Sequence, residues 1–448
     1  MHILLLTGYY ISDSFTGDGF NESVLYILST GLDGFAVDGY LHLLVSTLLL
    51  MLLALYLCFR IPAQFQIFKS LTKFRSGVLS LMLAGLLAAQ PVARNIALHQ
   101  RIFIDHDELT SIDISAVIPQ QVQLDNRPNI IYLYAEGFER TYLDEKLFPG
   151  LAPNLKRIES TALSFTNINT LYGTGWTIAG MVASQCGLPL QPVANVNKPG
   201  AFMPKAYCLG DILHKNGYQL TYMGGASLRF GGKGNFYATH HFDSVYGREQ
   251  LLGALPKGTP ISDWGLYDDT LFALAEKQLN LIKKGKAPYA LVLLTLDTHP
   301  PAGLPSKACD GITYQDGGNP MLNAVHCSDR LIAQFIDKLT NTEPMDNTLI
   351  IVGSDHLSLN HTAYDQLAAN NQRKNLFFIL GNNITAGVNN RYASMLDISP
   401  TILGLMGADI GALNLGVDLL GERKSLMALS SDPDRDMRIW SNQLHQFY

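Results

Sequence analysis

The most informative stretch of the sequence is NIIYLYAEGF, residues 129–138. Its first part, Ile130 to Ala135, is almost wholly apolar and β-prone, and Glu136 and Gly137 follow directly. A short apolar run that ends at turn residues is typical of a buried strand in a parallel sheet. Because open α/β sheets carry their chemistry at the carboxyl ends of the strands, Glu136 is a candidate metal ligand or catalytic base. The alternative is an ordinary strand-end acid that faces water.

The pattern of residues 129–448 alternates between strands and helices. Apolar runs predict strands, and amphipathic or glycine-terminated segments predict helices. The predicted strands are Ile130–Ala135, Leu163–Ile168, Tyr218–Met223, Tyr289–Leu296, Thr348–Val352 and Leu376–Leu380. The predicted helices are Pro153–Ala162, Thr177–Gln185, Leu209–Asn216, Thr270–Lys284, Met321–Leu339 and Asp397–Met406. This alternation indicates an α/β domain with a mostly parallel sheet flanked by helices.

The composition indicates a membrane segment and gives no sign of nucleic-acid binding. Of the 448 residues, 47% are hydrophobic and only 16% are charged, below the usual quarter for soluble proteins. The net charge of −6 leaves no basic field for nucleic acid. Residues 41–59 form an apolar run of bilayer-spanning length, and a weaker apolar run extends over residues 77–93.

The order of these runs predicts three regions. Residues 1–94 form a membrane anchor with transmembrane helices at about 41–59 and about 77–93, residues 95–128 form a tether, and residues 129–448 form an extracytoplasmic catalytic domain. The loop at 60–76 carries four basic residues and no acid, which favours the cytoplasmic side by the positive-inside rule. An amphipathic or buried helix is the alternative for residues 77–93.

The cysteine count indicates an oxidising compartment. Cys58 lies in an apolar run, and the other four cysteines are Cys186, Cys208, Cys309 and Cys327. An even number without CxxC spacing fits two disulfides. The pairs nearest in sequence are Cys186–Cys208 and Cys309–Cys327, and the spacing leaves the connectivity open. Four separate buried thiols are the alternative.

Two further predicted strands also end in polar clusters. One is followed by Asp297, Thr298 and His299, and the other by Asp355 and His356. Because the carboxyl ends of parallel strands lie on one edge of a sheet, these groups are expected to converge with the acid that ends the first strand. Carboxylate oxygens and imidazole nitrogens suit a divalent metal ion. Three such clusters therefore predict a metal site at this edge, whereas any one alone is also compatible with a solvated strand end.

A fourth element, LYGTGWTIAG at residues 171–180, joins a glycine-rich turn to a predicted helix. Thr177 lies at the start of that helix, where the macrodipole and free N–H groups favour a phosphate group. A bound metal would lower the pKa of the hydroxyl and activate it to attack phosphorus. Thr177 is therefore the candidate nucleophile and Thr174 is the second candidate. Capping of the helix is the ordinary structural role for Thr177.

These motifs resemble the alkaline phosphatase and sulfatase superfamily. The resemblance covers most of residues 129–420 and lies in residues 129–136, GTGWT at 173–177, MVASQCG at 181–187, GSDH at 353–356 and DISPT at 397–401. It is strongest to the membrane-anchored branch that contains lipoteichoic acid synthases and the phosphoglycerol transferases of periplasmic glucans. The resemblance implies an alkaline phosphatase/sulfatase-like α/β fold with an N-terminal transmembrane helical anchor.

Carried over to this sequence, the resemblance implies a ligand set and a nucleophile. The implied metal ligands are Glu136, Thr177, Asp355 and His356, and Thr177 is also the residue that takes the phosphoglycerol group. The resemblance implies that His299 contacts the substrate near the leaving oxygen. Manganese is the usual ion in this branch, and Mg²⁺ and Zn²⁺ are the alternatives.

The sequence departs from this branch between Gly224 and Tyr237, where the lipoteichoic acid synthases have a Trp-Asn-Arg substrate element. Lys233 and Arg229 are the candidates to replace that arginine, and surface charge is the alternative role for both. His361 follows the Asp-His pair closely and is a further candidate substrate contact.

The resemblance implies an enzyme of the bacterial inner membrane whose catalytic domain lies in the periplasm. It would move the phosphoglycerol head group of phosphatidylglycerol to a periplasmic glucan through a phosphothreonine, and release diacylglycerol. One alternative is a phosphoethanolamine transferase on the same scaffold, and another is a non-catalytic glucan-binding sensor. A sulfatase activity is disfavoured because no C/S-x-P-x-R element for formylglycine precedes the helix at Thr177.

Overall fold

The computed structural model describes residues 2–31, 41–60, 122–191, 197–198, 201–342, 347–441 and 444. Its first helices are α1 (His2–Thr16), α2 (Glu22–Thr30) and α3 (Leu41–Arg60). The predicted span at about 41–59 falls within α3, whereas residues 77–93 and most of the predicted tether lie outside the described residues. None of the helices in the described ranges combines the length and the apolar character that a bilayer crossing requires.

An eight-stranded sheet forms the centre of the domain. Its strands are β1 (Asn129–Ala135), β2 (Leu163–Phe165), β3 (Gln219–Gly224), β4 (Ser244–Tyr246), β5 (Tyr289–Leu294), β6 (Thr348–Ser354), β7 (Phe377–Leu380) and β8 (Gly387–Asn389). Their spatial order is β8-β2-β7-β6-β1-β5-β3-β4. Neighbouring strands pair in parallel except at β7, which runs antiparallel to both β6 and β2. The prediction of a mostly parallel sheet is therefore confirmed.

Helices cover both faces of the sheet because its central strands are buried on both sides. On β1, Ile130 and Tyr132 belong to one hydrophobic cluster, and Ile131 and Leu133 belong to the other. The helices that follow β1 are α4 (Pro153–Glu159), α5 (Thr177–Cys186), α6 (Leu209–Lys215), α7 (Lys233–Thr239), α8 (Arg248–Gly253), α9 (Asp268–Ile282), α10 (Pro320–Thr342), α11 (Tyr364–Ala368), α12 (Ile398–Leu405), α13 (Leu426–Leu429) and α14 (Pro433–Ser441). Side chains of α5, α6 and α12 enter the first cluster, and those of α4, α9 and α10 enter the second.

The strand predicted over Leu163–Ile168 is broken in the structure. It ends at Phe165 in the central sheet, and Ile168–Asn169 pairs instead with Ala393–Ser394 in a separate ladder. The polar residues Thr166 and Asn167 make the break, after which the chain leaves the sheet. Other short ladders pair Asn197–Lys198 with Ala201–Phe202 and Ala412–Leu413 with Gly416–Val417, and 3₁₀ turns lie at Arg140–Leu143, Phe230–Gly232, Lys307–Cys309 and Met395–Asp397.

Two disulfides join elements of the domain, Cys186–Cys208 and Cys309–Cys327. This is the pairing of nearest neighbours in sequence, so the prediction of two disulfides is confirmed. Cys186 ends α5 and Cys208 directly precedes α6, so the first bridge ties the end of one helix to the start of the next. All four cysteines are buried. Bridges of this kind persist in oxidising compartments.

Removing the first disulfide by Cys186→Ala with Cys208→Ala should lower the free energy of unfolding by about 3 kcal/mol. The bridge closes a loop with a sequence separation of 22, which limits the entropy of the unfolded chain. Urea unfolding followed by circular dichroism measures the loss. The matched control is Cys309→Ala with Cys327→Ala, whose bridge has a separation of 18. Only the first bridge holds the end of α5, the helix that begins at the candidate nucleophile Thr177. Only the first variant should therefore also lose activity, and equal activity in both variants would contradict this.

Candidate active site

Two adjacent strands deliver a pair of acids to the same edge of the sheet. β1 and β6 pair in parallel with Ala135 opposite Ser354. The next residue on each strand is therefore an acid, Glu136 after β1 and Asp355 after β6. Both side chains are buried, with 2% and 0% of their surface exposed. The register of one strand pair thus brings together two carboxylates that are more than two hundred positions apart in the chain.

His356 completes a compact cluster with these two acids. Its Nε2 atom lies 3.3 Å from Glu136 Oε1 and 3.3 Å from Asp355 Oδ2. The potential ligand atoms of the three residues all lie within 4.8 Å of one another. This spacing suits the coordination of a single ion by two oxygens and one nitrogen.

Hydrogen bonds orient Asp355 and His356 for such a role. Asp355 Oδ1 accepts the backbone N–H of Gly137 at 2.9 Å and that of His356 at 3.0 Å, which leaves Oδ2 facing the cluster. His356 Nδ1 lies 2.7 Å from the carbonyl oxygen of Leu357. Because a carbonyl can only accept, Nδ1 carries a proton, and Nε2 is the ring nitrogen that faces the cluster.

Two oxygens of the cluster support a metal site. Glu136 Oε1 and Asp355 Oδ2 are both buried and accept no hydrogen bond. Buried acceptors in folded proteins are nearly always satisfied, and a buried charge without a partner is costly. A divalent cation between these two oxygens would satisfy both, so the residues present fit the metal that the family resemblance implies.

The ionisation of the cluster indicates that it favours positive charge at its centre. Burial opposes ionisation of Glu136, but the close approach and positive charge of His356 lower the pKa of Glu136 to about 2. Burial raises the pKa of Asp355 to about 7, and the charge of Glu136 adds to this rise. Burial disfavours the charged imidazole, but Asp355 and Glu136 outweigh it and raise the pKa of His356 to about 9. A proton or a metal cation meets this demand.

Thr177 lies beside this cluster at the first turn of α5. Its Oγ1 atom is 3.4 Å from His356 Nε2, and the residue is half-buried. The residue in the N-cap position is Trp176, and no side-chain hydrogen bond caps the helix. The Thr177 hydroxyl is thus not used for capping. Thr174 is different, because its buried hydroxyl bonds with both the N–H and the carbonyl of Leu171 at 2.8 Å. The geometry therefore favours Thr177 over Thr174 as the nucleophile.

A glycine allows α5 to approach the metal-ligand loop closely. A Cβ atom at Gly180 would lie 1.6 Å from the carbonyl oxygen of Asp355, which is far inside van der Waals contact. Any side chain there would push α5 away from β6. The position of Thr177 relative to Asp355 thus depends on Gly180.

Gly180→Ala is expected to reduce turnover by roughly a hundred-fold, because a displacement of about 1 Å of a catalytic group has effects of that size. The measurement is the initial rate at saturating substrate. The control is Gly253→Ala, since a Cβ at Gly253 would meet nothing within 4 Å. Wild-type turnover in a folded Gly180→Ala protein would show that α5 tolerates the shift.

A small cavity lies next to the cluster and holds the remaining polar candidates. It is lined by Glu136, Thr177 and His356 together with Lys233 and His299. Lys233 is 3% exposed, and its Nζ donates to the carbonyl oxygen of Phe230 at 3.0 Å. Burial lowers the pKa of Lys233 to about 8 against the opposing charges of Glu136 and Asp355. A buried cation beside a nucleophile is well suited to a phosphate oxygen.

His299 has one ring nitrogen available to this cavity. Its Nδ1 lies 2.8 Å from the carbonyl oxygen of Pro300, which fixes the proton on Nδ1 and leaves Nε2. The ring lies 4.1 Å from that of Trp264, centroid to centroid. Burial lowers the pKa of His299, although the charge of Glu136 works in the other direction. The neutral imidazole is therefore the favoured form.

The other predicted polar residues lie elsewhere. Asp297 does not face the metal cluster, because its carboxylate accepts the backbone N–H groups of Asp268 at 3.0 Å and Ser306 at 2.9 Å. Arg229 is exposed and lines a neighbouring groove. His361 lies 3.0 Å from the hydroxyl of Tyr142 and accepts the N–H of Ala363 at 3.0 Å. Neither Arg229 nor His361 is among the residues that line the cavity at Thr177.

Part of the cavity wall comes from a region that sequence reasoning did not connect with the site. Phe15 from α1 and Tyr26 and Ile27 from α2 also line the cavity. They lie more than a hundred residues before Glu136, and no motif marks them.

Two family models match the chain. The Sulfatase model matches residues 128–408, and the model described as phosphoglycerol transferase I, N-terminal domain, matches residues 1–106. The first match covers the whole central sheet and the cluster of Glu136, Asp355 and His356. The second covers α1, α2 and α3.

Curated relatives are similar to nearly the whole chain. The phosphoglycerol transferase I of Xanthomonas axonopodis pv. citri is 37% identical over 449 residues, which covers 97% of this chain and 61% of that protein. The protein of the same name from Citrobacter koseri is 34% identical over 459 residues, which covers 98% of this chain and 59% of that protein. The chain thus spans about 60% of the length of these relatives.

Solved structures share the fold. The lipoteichoic acid synthase LtaP from Listeria monocytogenes matches with a TM-score of 0.58 and 17% identity, over 75% of this chain and 95% of that one. An alkaline phosphatase superfamily protein from Vibrio parahaemolyticus matches with a TM-score of 0.56 and 22% identity, over 69% and 76% of the two chains. These likenesses support the alkaline phosphatase/sulfatase-like fold.

Proposed function

Given that the chain belongs to the sulfatase family, we propose that it is a membrane-anchored, metal-dependent phosphoglycerol transferase. It moves the phosphoglycerol head group of phosphatidylglycerol to a periplasmic glucan and releases diacylglycerol. The observation that carries this proposal is the Thr177 hydroxyl, 3.4 Å from His356 Nε2 at the edge of a cluster in which two buried carboxylate oxygens accept no hydrogen bond. The names of the relatives support phosphoglycerol as the transferred group.

In this proposal Glu136, Asp355, His356 and Thr177 hold one divalent ion, Mn²⁺ by analogy with the family branch. When bound, the ion would lower the pKa of the Thr177 hydroxyl and offset the negative charge of the phosphate. The oxygen and nitrogen donors of the cluster also accommodate Mg²⁺ or Zn²⁺. A sulfatase reaction is disfavoured, since that chemistry requires a cysteine or serine where this chain has Thr177.

The first step transfers the head group to the enzyme. Thr177 Oγ1 gives its proton to His299 Nε2 and attacks phosphorus, and the bond from phosphorus to the diacylglycerol oxygen breaks. His299 then returns this proton to the leaving oxygen. Lys233 binds a phosphate oxygen and compensates its charge from a buried position. Arg229 and His361 are proposed as more distant substrate contacts.

The second step releases the head group to the acceptor. A glucan hydroxyl attacks phosphorus, the bond to Thr177 breaks, and the Thr177 oxygen regains a proton. Each displacement inverts the phosphorus centre, so the two together retain its configuration. This double displacement requires Thr177 to be reachable first by the lipid and then by the glucan.

We propose that residues 1–94 anchor the enzyme in the bacterial inner membrane and hold the domain 129–448 in the periplasm. The match of residues 1–106 to a phosphoglycerol transferase I N-terminal domain supports this part of the proposal. The two disulfides support an oxidising compartment. An anchor would keep the site near its lipid donor.

The test is to incubate the purified protein in detergent micelles with Mn²⁺ and head-group-labelled phosphatidylglycerol, with and without periplasmic glucan. Label on the glucan, together with release of diacylglycerol, is the expected result. Labelled phosphatidylethanolamine in a parallel reaction addresses the alternative head group. Label transferred only from phosphatidylethanolamine would assign a phosphoethanolamine transferase, and binding of glucan without transfer would assign a sensor.

A further inference from the structure

The N-terminal segment forms a roof over the cavity at Thr177. We use the term N-terminal roof for residues 13–30, which contain the end of α1 and all of α2. Tyr26 is fully buried in this roof, and its hydroxyl donates to the carbonyl oxygen of Gly231 at 3.0 Å. Its ring lies 5.7 Å from that of Trp176, the residue that precedes the nucleophile. One side of the roof thus contacts the loop that carries Lys233 and the turn that carries Thr177.

The other side of the roof contacts the histidine loop. Phe15 is 7% exposed, and its ring centroid lies 6.2 Å from that of His299 and 6.5 Å from that of Trp264. Asn360 Nδ2 donates to the carbonyl oxygen of Asp13 at 3.1 Å. Asn360 lies in the loop that follows the metal ligands of β6. The roof therefore contacts the segments that carry Lys233, Thr177 and His299, and the loop that follows His356.

The roof leaves too little space for a substrate. The volume open to the centre of a water molecule in this cavity is about 20 Å³, which is room for about one water. A phosphoglycerol group with its ester oxygens is many times larger. Thr177 therefore cannot meet a phosphodiester while Phe15 and Tyr26 hold these positions.

We propose that the N-terminal roof controls access to Thr177. It must separate from the loops that carry Gly231 and Asn360 before a phosphodiester enters, and Phe15 and Tyr26 then form part of the substrate wall. The identity of the transferred group in this inference rests on the proposed function, whereas the need for the roof to open does not. Access is thus governed by the segment that directly precedes α3.

The experiment locks the roof with an engineered disulfide. A Cβ at Gly17 would lie 3.2 Å from Asn360 Cβ, close to the Cβ separation of about 3.5–4.5 Å in disulfides. Gly17→Cys and Asn360→Cys are combined in the full chain with Cys58→Ser, so that no other unpaired cysteine remains. The oxidised and mildly reduced forms are compared, and mass spectrometry of peptides verifies the new bridge and the two native ones. Each single cysteine variant, treated in the same way, controls for effects of oxidation alone.

Three readouts are taken with Mn²⁺ present: transfer from labelled phosphatidylglycerol, hydrolysis of bis(p-nitrophenyl) phosphate, and calorimetric binding of sn-glycerol 1-phosphate. Locking is expected to reduce all three at least ten-fold, with recovery on reduction. Equal values in the locked and reduced forms overturn the access role. If the reduced protein hydrolyses the soluble diester but does not use phosphatidylglycerol, the proposed donor is wrong. The access role of the roof is then decided by comparing hydrolysis of the soluble diester in the locked and reduced forms.

A second variant covers the case in which the cysteine pair does not fold. Tyr26→Phe keeps the ring against Trp176 and removes the bond to the Gly231 carbonyl, which loosens the roof. The expected result is a two- to five-fold increase in kcat/KM for bis(p-nitrophenyl) phosphate, since Thr177 is uncovered more often. An unchanged or lower value with an unchanged Tm contradicts the proposal.

Discussion

Thr177→Ala is expected to abolish phosphoglycerol transfer, with a loss of roughly a thousand-fold or more. The reason is that the variant lacks the hydroxyl that the structure places 3.4 Å from His356 Nε2. Metal binding should persist, since Glu136, Asp355 and His356 remain. The measurements are the transfer rate and a trapped, labelled protein adduct mapped by mass spectrometry. The adduct should be absent in this variant.

Two companion variants separate a chemical role of Thr177 from a structural one. Thr177→Ser retains a hydroxyl and is expected to keep measurable activity and the adduct. Thr174→Val removes the hydroxyl that bonds to Leu171, so it should lower stability but still form the adduct on Thr177. An active Thr177→Ala protein, or an adduct that disappears with Thr174→Val in a folded protein, would reject the assignment.

Glu136→Gln is expected to remove the stabilisation of the protein by Mn²⁺. In the wild type, an ion at a hundred times its Kd should stabilise the fold by about 2.7 kcal/mol and raise the Tm accordingly. The variant replaces a carboxylate whose Oε1 is buried without a hydrogen bond by a neutral amide, which is a weaker ligand for a divalent cation. Differential scanning calorimetry with and without Mn²⁺ measures the shift in both proteins.

The matched control is Glu139→Gln, a buried acid three positions further along. Glu139 accepts from Arg373 Nε at 3.0 and 2.9 Å and is fully buried. Breaking such a pair should cost about 3 kcal/mol of stability, while the shift caused by Mn²⁺ should remain. If Mn²⁺ still raises the Tm of Glu136→Gln, the ion binds elsewhere. The same conclusion follows if Mn²⁺ fails to raise the Tm only in Glu139→Gln.

The sheet and its acidic edge were accessible from sequence. Apolar runs that end at Glu136 and Asp355 gave the strand positions, and parallel pairing implied that the two acids converge. The structure adds the register, Ala135 opposite Ser354, and the hydrogen bonds that turn Asp355 Oδ2 toward the cluster. Local patterns were sufficient here because each ligand follows directly from a long, regular strand.

Other parts of the site depend on contacts that no local pattern records. Asp297 resembled a ligand because it follows β5, but its partners are Asp268 and Ser306, which only the folded chain brings near. Thr174 and Thr177 share one short turn, and only the hydrogen bonds of Thr174 distinguish them. Phe15 and Tyr26 reach the cavity across a separation that sequence periodicity cannot bridge.

The two acids and the surrounding walls of the site come from different parts of the fold, so they can change independently as such proteins diversify. The acids are fixed by the pairing of two central strands, so an insertion or deletion within β1 or β6 would shift one acid away from the other. The surrounding walls come from loops and from the N-terminal helices, which can change without disturbing that pairing. The selectivity for the donor can therefore change during evolution while the relative positions of the two acids stay constant.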